Sequence, residues 1–254
     1  MKVVESIAEL VAERRARGAG DTGFVPTMGA LHEAHVALVR RAKAENARAW
    51  ASIFVNPSQF NDPADLARYP RSVAQDLELL RGARCDLAFL PRAEEIYGDG
   101  YRYRVTENKL SLELEGASRP GHFDGVLTVV LKLLLLTRAE RAYFGEKDFQ
   151  QLELVEGLVR AFFIDTEIVR CPTVREADGL AMSSRNRLLS PAERTRAPVL
   201  HRVLARSVAE RWPAEDARAA LGREGFEVDY VADRDGRRLA AVRLGPVRLI
   251  DNVG

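Results

Sequence analysis

The chain is poor in cysteine: only Cys85 and Cys171 occur in 254 residues. They are far apart and form no Cys-x-x-Cys pattern, which argues against a disulfide framework and for reduced core thiols in a cytoplasmic protein. Charge of one sign is not in excess. With 38 basic and 37 acidic residues the net charge is +1, so bulk electrostatics offers nothing to nucleic acid or another polyanion. Long apolar runs are missing too. Lys132 and Arg138 bracket only Leu133–Leu136, too few residues to span a bilayer. Glu5, Glu9, Glu13 and several arginines interrupt Met1–Gly18, so no signal-peptide core is expected there. The G-x-S-x-G elbow and the Walker A sequence are absent, removing the local signatures of serine hydrolases and P-loop enzymes.

Lysine is scarce as well. Only Lys2, Lys43, Lys109, Lys132 and Lys147 stand among the 38 basic residues. Generic surface charge is thus written as arginine, and a lysine inside a polar, glycine-bearing motif is selected for its compact ammonium. Lys147 is such a residue.

The chain is long enough for one large domain or two unequal ones. Val4, Ile7, Leu10 and Val11 predict an amphipathic helix over 3–17, closed at Gly18 by a left-handed C-cap. A short strand into Pro26, a helix over Ala30–Asn46 and a strand over Arg48–Val55 follow. A helix over Ser72–Arg84 and a strand over Cys85–Leu90 continue the alternation. Gly125–Leu136 reads as a buried helix, Arg141–Phe144 as a strand, Lys147–Phe163 as a helix and Ile164–Cys171 as a strand. This pattern predicts an α/β fold with a parallel sheet and flanking helices. The boundary is placed after Pro172, giving domains 1–172 and 173–254. In the second, Ser190-Pro191-Ala192-Glu193 has capping-box form and opens a helix to about Arg211. Strands over Phe226–Ala232, Leu239–Leu244 and Val247–Asp251 complete a small α+β domain.

The chemistry-bearing residues cluster in loops. His32 and His35 stand three apart at the start of a helix, where unpaired N–H groups and the dipole favour an anion. A pair of metal ligands or of surface histidines is the plain alternative, but a catalytic metal needs a third protein ligand. Asn56-Pro57-Ser58-Gln59 ends a strand, where parallel sheets place ligands, and Asn56 and Gln59 could fix a small polar substrate; alone, this is equally a turn. Gly145-Glu146-Lys147-Asp148 also follows a strand, with Lys147 suited to phosphate and Asp148 to a ribose. Met182-Ser183-Ser184-Arg185 offers two hydroxyls and a guanidinium to phosphates. Arg119-Pro120-Gly121-His122 holds the third histidine, while His201 reads as structural. Taken together, these residues point to nucleotide chemistry without covalent catalysis.

In this order, VPTMGALHEAH, SIFVNPSQF, Tyr69-Pro70-Arg71, RPGHFDGV, AYFGEKDFQQ and PTVREADGLAMSSRN, with the Arg248–Asp251 tail, closely resemble the pantothenate synthetase family, the pantoate–β-alanine ligases. The resemblance runs through nearly the whole chain. It implies a Rossmann-like nucleotidyltransferase core related to class I aminoacyl-tRNA synthetases, and a C-terminal domain that closes over ATP. It further implies a homodimer that uses Mg-ATP to convert pantoate to a pantoyl adenylate, releases pyrophosphate, and lets β-alanine displace AMP. Carried over motif by motif, ATP would be held by Met28, Gly29, Ala30, Leu31, His32, Glu33, Ala34 and His35. Gly145, Glu146, Lys147, Asp148, Val174, Met182, Ser183, Ser184 and Arg185 would complete its site. His32, His35 and Lys147 would be catalytic, His35 as proton donor, and Gln59 and Gln151 would bind pantoate. No residue is assigned to Mg²⁺, although Asp76 and Asp148 could be its neighbours, because the ion is commonly held by phosphates and water. No membrane or nucleic-acid partner is expected.

Three departures qualify the transfer. Ala34 replaces the family's usual glycine between the two histidines; the expectation is that Ala34→Gly tightens ATP binding, which calorimetry checks. Leu133–Arg141 lacks the asparagine and proline usual before the AYFG strand, and the stretch between Arg211 and Phe226 looks shortened. Two other functions compete. A transferase moving a nucleotidyl group to a phosphate would need a basic acceptor pocket, where this chain has Gln59 and Gln151. A nucleotide-binding regulator without turnover would not require the full set of His32, His35, Lys147 and Ser183–Arg185.

Overall fold

The computed structural model describes residues 1–18, 21–61 and 63–254. Two compact units make up the chain: residues 1–146 with 150–171, and residues 147–149 with 172–254.

The first unit is built on a six-stranded sheet of β1 (Lys2–Val4), β2 (Thr22–Thr27), β3 (Arg48–Ile53), β4 (Leu87–Phe89), β5 (Arg141–Gly145) and β6 (Glu167–Cys171). The order is β1-β4-β3-β2-β5-β6 and every pairing is parallel. Alternate residues bury opposite faces, as a helix-covered parallel sheet requires. Phe24, Trp50, Leu87, Phe89 and Phe144 enter one core, and Val25, Ala49, Ala51, Ala88 and Tyr143 the other. The chain runs outward from β2 through β3 to β4, then returns to place β5 on β2's other side. The strand order therefore reverses between β2 and β5, and their carboxyl ends, Thr27 and Gly145, flank the crevice where open α/β sheets bind ligands.

Several predicted boundaries move. Residues 2–4 form a strand and not the start of a helix: β-branched Val3 and Val4 pair with Ala88 and Phe89. The helix is Ile7–Ala16, begun by a capping box between Ser6 and Glu9, and Gly18 follows it at φ +70° as expected. The second helix spans Glu33–Glu45, starting later than Ala30 because Gly29 and Ala30 are left-handed, at φ +79° and +50°. The buried helix is longer than predicted, His122–Thr137. Lys147 lies in a 3₁₀ turn, Glu146–Asp148, before the helix Phe149–Ala161. Cys85 and Cys171 are buried free thiols, as expected, and burial pushes the Cys85 thiol up to about 12.

The second unit has its own core around Leu200, Leu204, Leu221, Val242 and Leu249. Its sheet is antiparallel: β7 (Glu227–Arg234), β8 (Arg237–Leu244) and β9 (Val247–Val253). Asp235 and Gly236 both have positive φ, +46° and +77°, the backbone a two-residue hairpin turn needs. The capping box at Ser190 and Glu193 is present, but the helix it starts ends at Arg196 and a second begins at Val199. Pro198 accounts for the break, since it lacks an N–H and clashes with the preceding turn. Within the stretch that looks shortened lies one more helix, Ala214–Arg223. Among the described residues no helix is long and apolar enough to cross a membrane.

Candidate active site

The loop leaving β2 is held by side-chain hydrogen bonds at both ends. Thr27 Oγ1 donates to Ser52 O at 2.6 Å and accepts from Gly29 N at 3.3 Å. The left-handed pair Gly29-Ala30 then turns the next two N–H groups toward Asp76, whose carboxylate accepts from Ala30 N at 2.9 Å and from Leu31 N at 2.8 Å. Ser72 Oγ adds a third bond at 3.2 Å, and Asp76 is only 1% exposed. A Cβ on Gly29 would stand 3.0 Å from Asp76 Oδ2 and 3.1 Å from Ile53, so this position requires glycine on two counts. Asp76, considered above as a metal neighbour, instead holds the loop. Among the described residues no three His, Cys, Asp or Glu side chains cluster as metal ligands would.

His32 is the N-cap of the helix Glu33–Glu45, with extended backbone at φ −141°, and His35 is its third residue. The i, i+3 spacing brings the two imidazoles together at the helix start, ring centroids 4.1 Å apart. His32 N donates to His35 Nδ1 at 3.4 Å. A ring that accepts at Nδ1 carries its proton on Nε2 when neutral. Glu33 is exposed and paired with Arg40.

Gln59 reaches the same loop from the turn after β3: its Nε2 lies 3.0 Å from Met28 Sδ. Asn56 is 1% exposed. Its Nδ2 donates to Gln59 Oε1 and Gly125 O, and its Oδ1 accepts from Ser58 N, Ser58 Oγ and the Tyr97 hydroxyl. Protein groups thus occupy the whole Asn56 amide, which orients Gln59 and leaves nothing for a substrate. Burial pushes the Tyr97 hydroxyl up to about 12, so it remains a donor. His122 Nδ1 and Arg119 stand 2.8 and 3.3 Å from Gln59 O.

The second sheet segment of interest divides between the units. Gly145 ends β5 and Glu146 opens the 3₁₀ turn in the first, Lys147–Phe149 belong to the second, and Gln150 and Gln151 to the first again. A Cβ on Gly145 would meet no atom within 4 Å, so packing does not account for the glycine. Gln150 is 2% exposed and holds residues 110–115 through Leu110 O, Glu113 O and Glu115 N; Gln151, a helical turn-mate, is half-buried. Asp148 is exposed, 3.7 Å from the Lys147 ammonium.

In the second unit, Met182 N donates to Val174 O at 3.0 Å and closes the segment Val174–Met182. Ser183 Oγ accepts from Arg185 N at 3.2 Å and caps the 3₁₀ turn Ser184–Leu188. The base of this segment is held by Arg175, which makes a bidentate pair with Asp251 at 2.7 and 2.9 Å. Burial works to raise the Asp251 pKa, but the bonds from His201 and Arg175 outweigh it and hold the carboxyl below its ordinary value.

A protein-family model described as "Pantoate-beta-alanine ligase" matches residues 1–254. The chain belongs to the pantoate–β-alanine ligase family. Among curated members, the pantothenate synthetase of Bdellovibrio bacteriovorus is 52% identical over 99% of this chain and 98% of its own length. That of Cereibacter sphaeroides is 50% identical over 97% and 98%. Of solved ligases, the Thermus thermophilus pantothenate synthetase superposes with a TM-score of 0.91 at 45% identity, covering 100% of this chain and 99% of that one. The Francisella tularensis pantoate–β-alanine ligase, solved with β-γ ATP and β-alanine, has a TM-score of 0.92 at 40% identity, with coverage of 100% and 97%. The α/β fold with a small C-terminal α+β region is the ligase fold.

The structure places His32, His35, Gln59 and Gly145 in the first unit and Val174 and Met182–Arg185 in the second, where it also places Lys147, which the sequence boundary after Pro172 assigns to the first. The sequence motifs missed Asp76 as the holder of the loop after β2, Gln150 as the buried neighbour of Gln151, and the Arg175–Asp251 pair. Each of these acts on backbone far away along the chain, and no local spacing signals it.

Proposed function

We propose that this ATP-dependent pantoate–β-alanine ligase works through a pantoyl adenylate on the residues its motifs designate. Met28–His35, Gly145–Asp148, Val174 and Met182–Arg185 take the nucleotide, and Gln59 and Gln151 take pantoate. The observation that carries the reading is Gln59 beside Met28, 3.0 Å apart, which joins the substrate glutamine to the nucleotide loop at the carboxyl end of β2. A pantoate carboxylate oxygen attacks the α-phosphorus in line as the bond to pyrophosphate breaks. Both reactants are anionic, so the residues must offset repulsion and fix the approach, work suited to preorganised donors. His35, as proton donor, and Lys147, as a cation, offset the charge that builds on the phosphate oxygens. In the second step the β-alanine amine attacks the acyl carbon, loses a proton, and AMP departs with the electrons of the acyl–oxygen bond.

Magnesium would be held chiefly by the ATP phosphates and would supply charge neutralisation there; the Asp76 carboxylate is taken up by the amides of Ala30 and Leu31. The ligase acts as a cytoplasmic homodimer, residues 1–172 binding the nucleotide and pantoate and residues 173–254 serving as the lid. Sedimentation equilibrium tests the dimer.

The deciding experiment supplies Mg-ATP and pantoate with and without β-alanine and resolves the products. AMP, pyrophosphate and pantothenate are expected, with sustained turnover only when β-alanine is present; ADP in place of AMP refutes adenylation. His35→Ala and Lys147→Ala should each slow single-turnover adenylate formation by roughly 10²- to 10³-fold, the scale of one lost electrostatic donor. Near-normal rates would remove these residues from their roles.

A further inference from the structure

Lys147 stands two residues past the end of β5, yet it belongs with the C-terminal unit. The contacts that hold it there come from β8 and β9. Asn252 is 2% exposed, in β9, and its Nδ2 donates to Lys147 O at 3.1 Å. Its other amide atom, Oδ1, accepts from Arg237 Nη1 at 2.9 Å. Arginine has donors only, so this bond fixes which way the Asn252 amide faces and leaves the nitrogen for the Lys147 carbonyl. Arg237 also lies over the Phe149 ring, 5.2 Å from its centroid. The Asn252 main chain is fixed in turn: its N–H donates to Asp251 Oδ1 at 2.8 Å, and Arg175 Nη2 donates to its carbonyl at 3.2 Å. Three residues, Lys147–Phe149, are thereby clasped at both ends by one asparagine and one arginine.

We propose that Asn252 is a positioning residue for nucleotide binding, acting through Lys147. By anchoring the Lys147 carbonyl it sets the direction in which the ammonium leaves the backbone, and it places that ammonium on the same unit as Ser183, Ser184 and Arg185. The inference rests on Lys147 as a phosphate ligand.

The test is Asn252→Asp in the full chain, which retains an acceptor for Arg237 and turns an oxygen toward the Lys147 carbonyl. Calorimetric titration with Mg-ATP should show a dissociation constant raised about tenfold, the scale of one buried hydrogen bond replaced by facing acceptors. The KM for pantoate should stay within about twofold, since Gln59 and Gln151 are untouched. In a Lys147→Ala background the same substitution should change ATP affinity less than about twofold, because the group it positions is gone. An equal penalty in both backgrounds, or unchanged ATP affinity in the first, overturns the proposal. Arg237→Gln, which releases the amide without altering Asn252, should weaken ATP in the same direction, and unchanged affinity there counts equally against it should Asn252→Asp fail to fold. If Lys147→Ala alone leaves ATP binding intact, it is the assignment of Lys147 that falls.

Discussion

Asp76 shows how much a single residue decides. Its two carboxylate oxygens collect the N–H groups of Ala30 and Leu31, holding a non-glycine residue left-handed at Ala30. Asp76→Asn keeps one acceptor but turns an amide NH₂ toward the other N–H. The expected loss is about 1–3 kcal/mol of stability, the cost of a buried donor left unpaired, with adenylation slowed about tenfold as the loop loses its geometry. Denaturant titration and single-turnover kinetics check the two effects, and a variant matching the parent in both shows the loop to be held by other contacts. His32, His35, Gln59 and Lys147 were legible from sequence because each is chemically distinctive within its own few residues. Asp76 was not, since it sits 45 and 46 positions from the amides it binds and looks like any acidic residue in a helix's first turn.

At the scale of elements, the turn Asn56–Gln59 owes its shape to the helix His122–Thr137. Gly125 permits the contact: a Cβ there would lie 2.4 Å from Ser58 O and 2.7 Å from Gln59 N, well inside van der Waals distance. Gly125→Ala is expected to cost about 1–3 kcal/mol as overpacking and to raise the KM for pantoate several-fold by displacing Gln59, while KM for ATP changes less. Equal effects on both substrates would indicate a general loss of folding instead. The alternation of strands and helices could be read from apolar spacing, and the caps at Ser6 and Ser190 from their side chains. Boundaries moved where backbone conformation, and not hydrophobic period, decided them: at left-handed Ala30, at the 3₁₀ turn holding Lys147, and at Pro198. Lys2–Val4 became a strand because β4 was there to pair with it.

The molecule as a whole carries two cores of different kinds, a sheet buried on both faces and a three-stranded sheet backed by helices. In the second, one ion pair ties the last strand to the segment bearing Val174 and Met182. Asp251 has its folded-state pKa held below the ordinary 3.8. Its stabilising contribution is therefore complete above that ordinary value and is lost as pH falls through the lower folded one. Asp251→Asn should cost about 3 kcal/mol near neutrality, by leaving the buried face of Arg175 without its charge partner, and the gap to the parent should narrow progressively below pH 3.8. Thermal denaturation as a function of pH measures this; a gap independent of pH would show that the carboxylate's charge is not what stabilises the unit.

The sequence by itself determined the class of fold, most of the alternation of strands and helices and the family to which the chain belongs, since periodicity, capping and motif chemistry are all encoded within a few neighbouring residues. Only the tertiary structure decided which groups hold those side chains in place. Asp76 on the loop after β2, Gly125 beneath Gln59 and Asn252 on Lys147, 105 residues away, depend on segments brought together by burying the two faces of one sheet and the core of another. Local pattern carries no trace of such pairings, because they arise from where the packed elements place backbone amides and carbonyls that must then find partners.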